Sequence, residues 1–229
     1  MQVLTRNELP LGGFAGLVEH RFVTDSRLFG SRKSPLTFEG LGQFVYLADA
    51  KFNPFGETTM HPHKEIDVIT IMLDGQVTHE GSLEHGKSLQ AGDAQVQRAG
   101  GEGFSHNEIN PNSSTNRLLQ LWALPDTFGE PAAYKYYKTD KQGITHIYGG
   151  DKTQNATFDS KTHIYIVKLA AGESYRADTE TLAYVYKGNL DVETTERQIM
   201  ATDGTLVRTK HATFSALTPS EFVVINHVE

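Results

Sequence analysis

The sequence predicts an all-β protein made of two related modules. Three observations lead there: short apolar runs rich in Val, Ile, Tyr, Phe and Thr recur along the chain, Gly, Asn and Asp separate them, and one half echoes the other. Runs this short, bounded by turn residues, are the pattern of an antiparallel sandwich or barrel. Helical periodicity is scarce.

The elements follow in order. GQFVYLADA (42–50) is β-branched and aromatic, as a half-buried pleated surface requires. DVITIMLDG (67–75) is a longer apolar run that stops at Asp74-Gly75, a turn signal. NRLLQLWAL (116–124) reads as a buried strand, which places Trp122 in the core. PAAYKYYK (131–138) is the best candidate for a short helix or a linker between halves, so the expected domains are 1–128 and 129–229. THIYIVKLA (162–170), TLAYVYKGN (181–189) and SEFVVINHV (220–228) supply the second set of strands, with turns at Lys187-Gly188-Asn189 and Asp203-Gly204.

The echo is specific. FGETTMHPHKEIDVITIMLDGQVTHEG, from Phe55, resembles AGESYRADTETLAYVYKGNLDVETT, from Ala171, in its Gly-Glu start, its apolar strand and its glycine turn. LQAGDAQVQRAG, from Leu89, and IMATDGTLVRTK, from Ile199, then close the two copies. The histidines of the first copy are not repeated; Arg176 and Ala177 occupy that region of the second.

Composition narrows the chemistry. The 229 residues can bury a real core, and the absence of cysteine excludes disulfides, thiolate metal sites and thiol nucleophiles. Any metal must rest on His, Asp, Glu or backbone oxygen. A formal charge of −7 with no Lys/Arg cluster argues against a nucleic-acid surface. No window approaches the roughly 18 apolar residues of a membrane span, and MQVLTRNELPLGGF lacks the pattern of a secretory signal, so a cytoplasmic location is the expectation.

HPH at 61–63 is the sharpest feature. In a strand, residues i and i+2 share a face, so His61 and His63 project together while Pro62 points away and stiffens the pair. GEGFSHNEIN (101–110) repeats the spacing with His106 and Glu108 after a glycine-rich turn. Facing each other, three neutral imidazoles and a carboxylate would hold a divalent first-row ion and leave positions open for substrate, dioxygen or water. Ten histidines in 229 residues make one such pair unremarkable. Two pairs in one module, absent from its echo, carry more weight. His79, His85, His146, His163, His211 and His227 have no defensible sequence partner, and Phe104 suits either a pocket wall or the core.

HPHKEIDVITIMLDG, then AGDAQVQRAGGEGFSHNEINP and LLQLWALP, closely resembles the pirin family of the cupin superfamily over about residues 55–125. The resemblance implies a bicupin, two antiparallel jelly-roll barrels in one chain, with one metal in the N-terminal cupin and a ligand-free C-terminal cupin. Carried over by position, the ligands are His61, His63, His106 and Glu108. The family's usual Arg-Gly-Phe-Glu after HPH is here Lys64-Glu65-Ile66-Asp67, which makes Asp67 an alternative ligand, an orienter of a histidine, or a turn cap. Residues 20–55 follow the family only loosely.

Two functions follow from the resemblance. One is a quercetinase-like dioxygenase that opens a flavonol ring with dioxygen, using Fe(II), or Ni, Mn, Cu or Zn, with Glu108 or Asp67 as the proton acceptor. The other is an iron-dependent regulatory or stress-related module, such as a transcription co-regulator, that contacts a protein partner. Two fused barrels already bury the surfaces that single barrels hide by dimerising, so a monomer is expected.

Overall fold

The computed structural model describes residues 1–83, 86–139 and 142–228; His85 lies outside them. The strands begin with β1 (Gln2–Thr5), β2 (Gly12–Phe14), β3 (Leu17–Thr24), β4 (Phe44–Phe52), β5 (His61–His63), β6 (Asp67–Asp74) and β7 (Gln76–Gly81). They continue with β8 (Ser88–Gln90), β9 (Asp93–Arg98), β10 (Phe104–Ile109), β11 (Arg117–Ala123), β12 (Ala133–Lys138), β13 (Gly143–Gly150) and β14 (Ser160–Leu169). The last are β15 (Ser174–Ala177), β16 (Thr181–Lys187), β17 (Asn189–Glu193), β18 (Gln198–Thr202), β19 (Thr205–Thr209), β20 (Ala212–Ala216) and β21 (Ser220–His227). One helical turn, α1 (Ser26–Phe29), is capped by the Asp25 carboxylate, which accepts from the Arg27 N–H at 2.9 Å. Among the described residues no helix is long and apolar enough to cross a membrane.

The chain divides into two compact units, Leu9–Lys138 and Met1–Glu8 with Thr139–Glu229. The first holds a seven-stranded sheet, β12-β9-β6-β11-β4-β3-β2, and a four-stranded sheet, β5-β10-β7-β8. The second holds a six-stranded sheet, β1-β19-β16-β21-β14-β13, and a four-stranded sheet, β15-β20-β17-β18. The orders correspond strand for strand through β9, β6, β11 and β4 against β19, β16, β21 and β14. The sequence echo is therefore a repeat of topology. All six runs read from the sequence are strands, and in each large sheet three of them lie side by side. The turn glycines Gly75 and Gly188 have φ of 74° and 82°, which L side chains rarely adopt.

Two expectations change. PAAYKYYK contains neither helix nor linker: β12 pairs with β9 from Ala133↔Arg98 to Lys138↔Asp93. A run with three tyrosines suits a pleated ladder, and the edge of β9 offers unpaired backbone groups to it. The division therefore falls at 138/139 rather than 128/129, and residues 1–8 belong with the second unit because β1 pairs with β19.

Inside the first unit the core is interrupted. Leu17, Phe52, Met72, Val77, Leu89 and Leu118 form one apolar cluster, and Val45, Ile66, Val68, Ala99 and Phe104 form another. On one face of β6 the order is Val68, Thr70, Met72; on one face of β11 it is Leu118, Gln120, Trp122. A polar band thus crosses the barrel wall between two greasy ends. Thr70 is paired in register with both Gln95 and Gln120.

Candidate metal centre

β5 is an edge strand, which is why Pro62 is tolerated: its missing N–H would otherwise break a ladder. Pro62 is exposed, and His61 and His63 turn the other way. The register His106↔His61 and Glu108↔His79 puts His61, His63, His79, His106 and Glu108 on one face of the four-stranded sheet. That face meets the polar band. Gly81 allows the approach, since a Cβ there would lie 2.3 Å from the Ser105 carbonyl oxygen and 2.9 Å from the His106 Cα.

Three imidazoles converge. Nε2 of His106 lies 3.0 Å from Nε2 of His61 and 3.1 Å from Nε2 of His63, and one ligand atom from each ring falls within a 4.8 Å group. The ring planes are splayed, at 59° for His61 with His106 and 81° for His63 with His106. Tautomers follow from the outer partners. His61 Nδ1 is 2.8 Å from the Thr59 carbonyl oxygen, which only accepts, so Nδ1 carries the hydrogen. His106 Nδ1 faces Oε1 of Gln97 at 3.1 Å and Nε2 of His79 at 3.0 Å, while Nε2 of Gln97 donates to that same His79 nitrogen at 3.0 Å. This closed triangle fixes the His106 hydrogen on Nδ1. The 3.0 Å contact between His61 and His106 therefore joins two lone pairs, an arrangement that a cation between them makes favourable.

Electrostatics agree. Burial, then the charges of His63, His61 and His79, lowers the pKa of His106 to about 2. Burial, then His61, lowers His63 to about 4. Both rings are neutral at pH 7, the form that ligates metal. Glu108 is buried and accepts from the Thr70 hydroxyl at 3.0 Å. Burial raises its pKa to about 7 against the lowering effect of that hydrogen bond.

His61, His63 and His106 are thus brought together, and Glu108 lines the same cavity beside Thr70, outside the 4.8 Å imidazole group. Asp67 is not brought to the site. Strand alternation sends it to the opposite face of β6 from Val68 and Thr70, where it is fully buried 3.7 Å from Arg98, its partner in register. Trp122 also departs from expectation: it is a pocket wall, 4.3 Å from Tyr46 and 6.0 Å from His63 between ring centroids. His79 was missed, although its place two residues after Val77 on a strand face marks it as a buried polar group. His146 and His163 also find each other in the second unit, with ring nitrogens 3.1 Å apart.

The repeat supplies a control. Counting from the glycine turns and following the registers, His79, His61, His106 and Glu108 correspond to Val192, Ala177, Ala212 and Phe214. Thr70, Gln95 and Gln120 correspond to Ala183, Val207 and Val224. All seven residues of the second unit belong to one buried apolar cluster. A buried Val or Phe contributes roughly 1.5–3 kcal/mol. The first unit forgoes that stabilisation at the four positions matched by Val192, Val207, Phe214 and Val224, and has a polar cage instead.

The sequence model of the Pirin family matches residues 31–123. Over this stretch the chain is similar to pirin domains. The stretch contains all three converging histidines and Glu108, but not the β2–β3 residues that line the cavity mouth. Over 175 residues, 72% of this chain and 75% of its relative, the chain is 29% identical to a pirin-like protein of Caulobacter vibrioides. It is 38% identical to quercetin 2,3-dioxygenase of Escherichia coli over 82 residues, 35% of each. The bacterial pirin YhhW of Escherichia coli, solved in complex with nickel(II), shares the fold at a TM-score of 0.80 and 21% identity, covering 99% of this chain and 98% of that one. The two units of antiparallel sheets accord with that likeness of fold.

Proposed function

We propose that the pirin-like domain binds one divalent metal ion through His61, His63 and His106 and opens the ring of a flavonol-like substrate with dioxygen. The observation that carries this is the lone-pair contact among imidazole nitrogens whose outer hydrogens are already committed. Fe(II) is the ion we assign; Ni, Mn, Cu and Zn suit the same donors, and elemental analysis of protein purified without chelator decides. When bound, the ion supplies Lewis acidity toward a substrate hydroxyl and a binding point for dioxygen.

The chain's own residues do the rest. Glu108, with a pKa near 7, is matched to accept the substrate hydroxyl proton at neutral pH, and Thr70 holds it in place meanwhile. If it gives up Thr70, the same carboxylate is the fourth ligand. Phe29, Tyr46 and Trp122 form a nearly parallel aromatic wall beside the cage, against which a flat ring packs. The space at the cage is small, about 80 Å³, but Glu19, Arg21 and Phe29 also line an adjoining lobe of about 320 Å³. That opening favours catalysis over a plugged, purely structural site.

The test is quercetin depletion with carbon monoxide release by iron-loaded protein under oxygen. We expect turnover in the parent protein and none in His61→Ala. Parent turnover no faster than free iron would refute the reading.

A further inference from the structure

The lobe beyond the metal cage has a chemistry of its own. Glu19 is 2% exposed, and both of its oxygens are committed: Oε2 accepts from the Tyr46 hydroxyl at 2.7 Å and Oε1 from Arg21 Nε at 2.7 Å. Glu19 and Arg21 therefore cancel each other's charge. Arg32 also lines the lobe, and among the described residues it has no ion pair or hydrogen bond. Thr24 and Thr37 on the same wall are hydrogen-bonded to each other, and Thr37 donates on to the Ser34 carbonyl, so neither hydroxyl answers that cation. Gly12 and Gly13 add no side chain to fill the space. The lobe thus holds one uncompensated positive charge, at the end of an aromatic wall that starts at the cage.

We propose that the substrate is a planar aromatic carrying an anionic group at the end remote from the reacting ring. That group, a carboxylate or sulfate, pairs with Arg32 in the outer lobe, while the rings lie along Trp122, Tyr46 and Phe29. The small inner space takes the reacting ring, and the larger lobe takes the charged end. Arg32 determines specificity and touches no proposed metal ligand. This deepens the dioxygenase reading of the site, but it concerns binding and is measurable without turnover.

Trp122 is the only tryptophan in the chain and lines the cavity, so its fluorescence reports occupancy. Zinc-loaded protein without oxygen is titrated with 3-hydroxyflavone and with its 4′-carboxylate. The carboxylate should bind about tenfold more tightly, as a charged hydrogen bond to arginine provides. Arg32→Gln should erase that advantage and leave the neutral flavonol unchanged; Arg32→Glu should make the carboxylate the weaker ligand. Equal affinities in the parent protein, or an advantage that survives Arg32→Gln, overturn the proposal. Turnover of a neutral flavonol with no anion preference refutes this proposal alone. Arg32-dependent binding of the carboxylate without turnover refutes the dioxygenase reading alone.

Discussion

Removing the outer partners of His106 should weaken metal binding in defined steps. Its Nδ1 hydrogen has two acceptors, His79 Nε2 at 3.0 Å and Gln97 Oε1 at 3.1 Å, and those two groups hold each other. His79→Phe leaves the Gln97 oxygen in place, and Gln97→Leu leaves the His79 nitrogen. Each single change therefore keeps one acceptor, and loss of such a partner lowers metal affinity by 10–100-fold, with singles near the low end, about tenfold or 1.4 kcal/mol. The double variant keeps neither, so the ring is free to change tautomer or rotate. It should lose at least about 100-fold, roughly 2.7 kcal/mol. The assay is competition for nickel(II) against a chromogenic chelator at pH 7.5, with thermal unfolding of the metal-free variants recorded separately, because an orphaned buried partner itself costs about 1–3 kcal/mol of stability. A double variant within twofold of the parent would refute the argument. So would single variants that already show the full loss.

Four further outcomes are expected. Metal-free protein should lose stability as pH falls from about 6.5 toward 4, because unfolding frees His63 and His106, lowered in the fold to about 4 and about 2, to take up protons at their ordinary 6.5. Glu108, raised to about 7 from 4.5, opposes this by holding a proton that the unfolded chain releases, so Glu108→Gln should steepen the loss between pH 6.5 and 4.5 in pH-dependent urea melts. Arg98→Met removes the buried cation 3.7 Å from Asp67 and should destabilise the protein by about 3–5 kcal/mol, whereas Asp67→Asn should leave metal affinity within twofold, as chemical denaturation and metal titration respectively will record.

Much of this was legible in the sequence, for physical reasons that differ by residue. The six apolar runs were readable because period-two patterns and glycine turns are local properties, and the pairing of His61 with His63 and of His106 with Glu108 needs only the alternation of a strand. Asp67 was a candidate only by its place in the family pattern after HPH; the alternation along β6, where Thr70 sets the inward face, sends it to the other side. β12 was hidden for another reason: its partner β9 lies some 40 residues earlier, and nothing within PAAYKYYK announces it. Trp122 sits on an apolar strand and looks like core until Tyr46 and Phe29, distant in sequence, stack beside it as a cavity wall. His79 and Gln97 each seem ordinary alone; only the register brings both to the same nitrogen.

The pairing of β1 with β19 has a consequence for how the protein is made. Val3 lies opposite Val207, so β1 meets its neighbour only after some 200 further residues have been added. At roughly 5–20 residues per second that is a wait of about 10–40 s, during which Leu9–Lys138 can already close on itself. β1 must therefore go without β19 for that interval, as must the Arg6 N–H without the Gly204 carbonyl oxygen that accepts from it. A piece cut at residue 139 carries β19 as a bare edge, the kind of surface along which chains aggregate. The second unit is contiguous in space but not along the gene, and its assembly recruits a strand made some 200 residues before its partner.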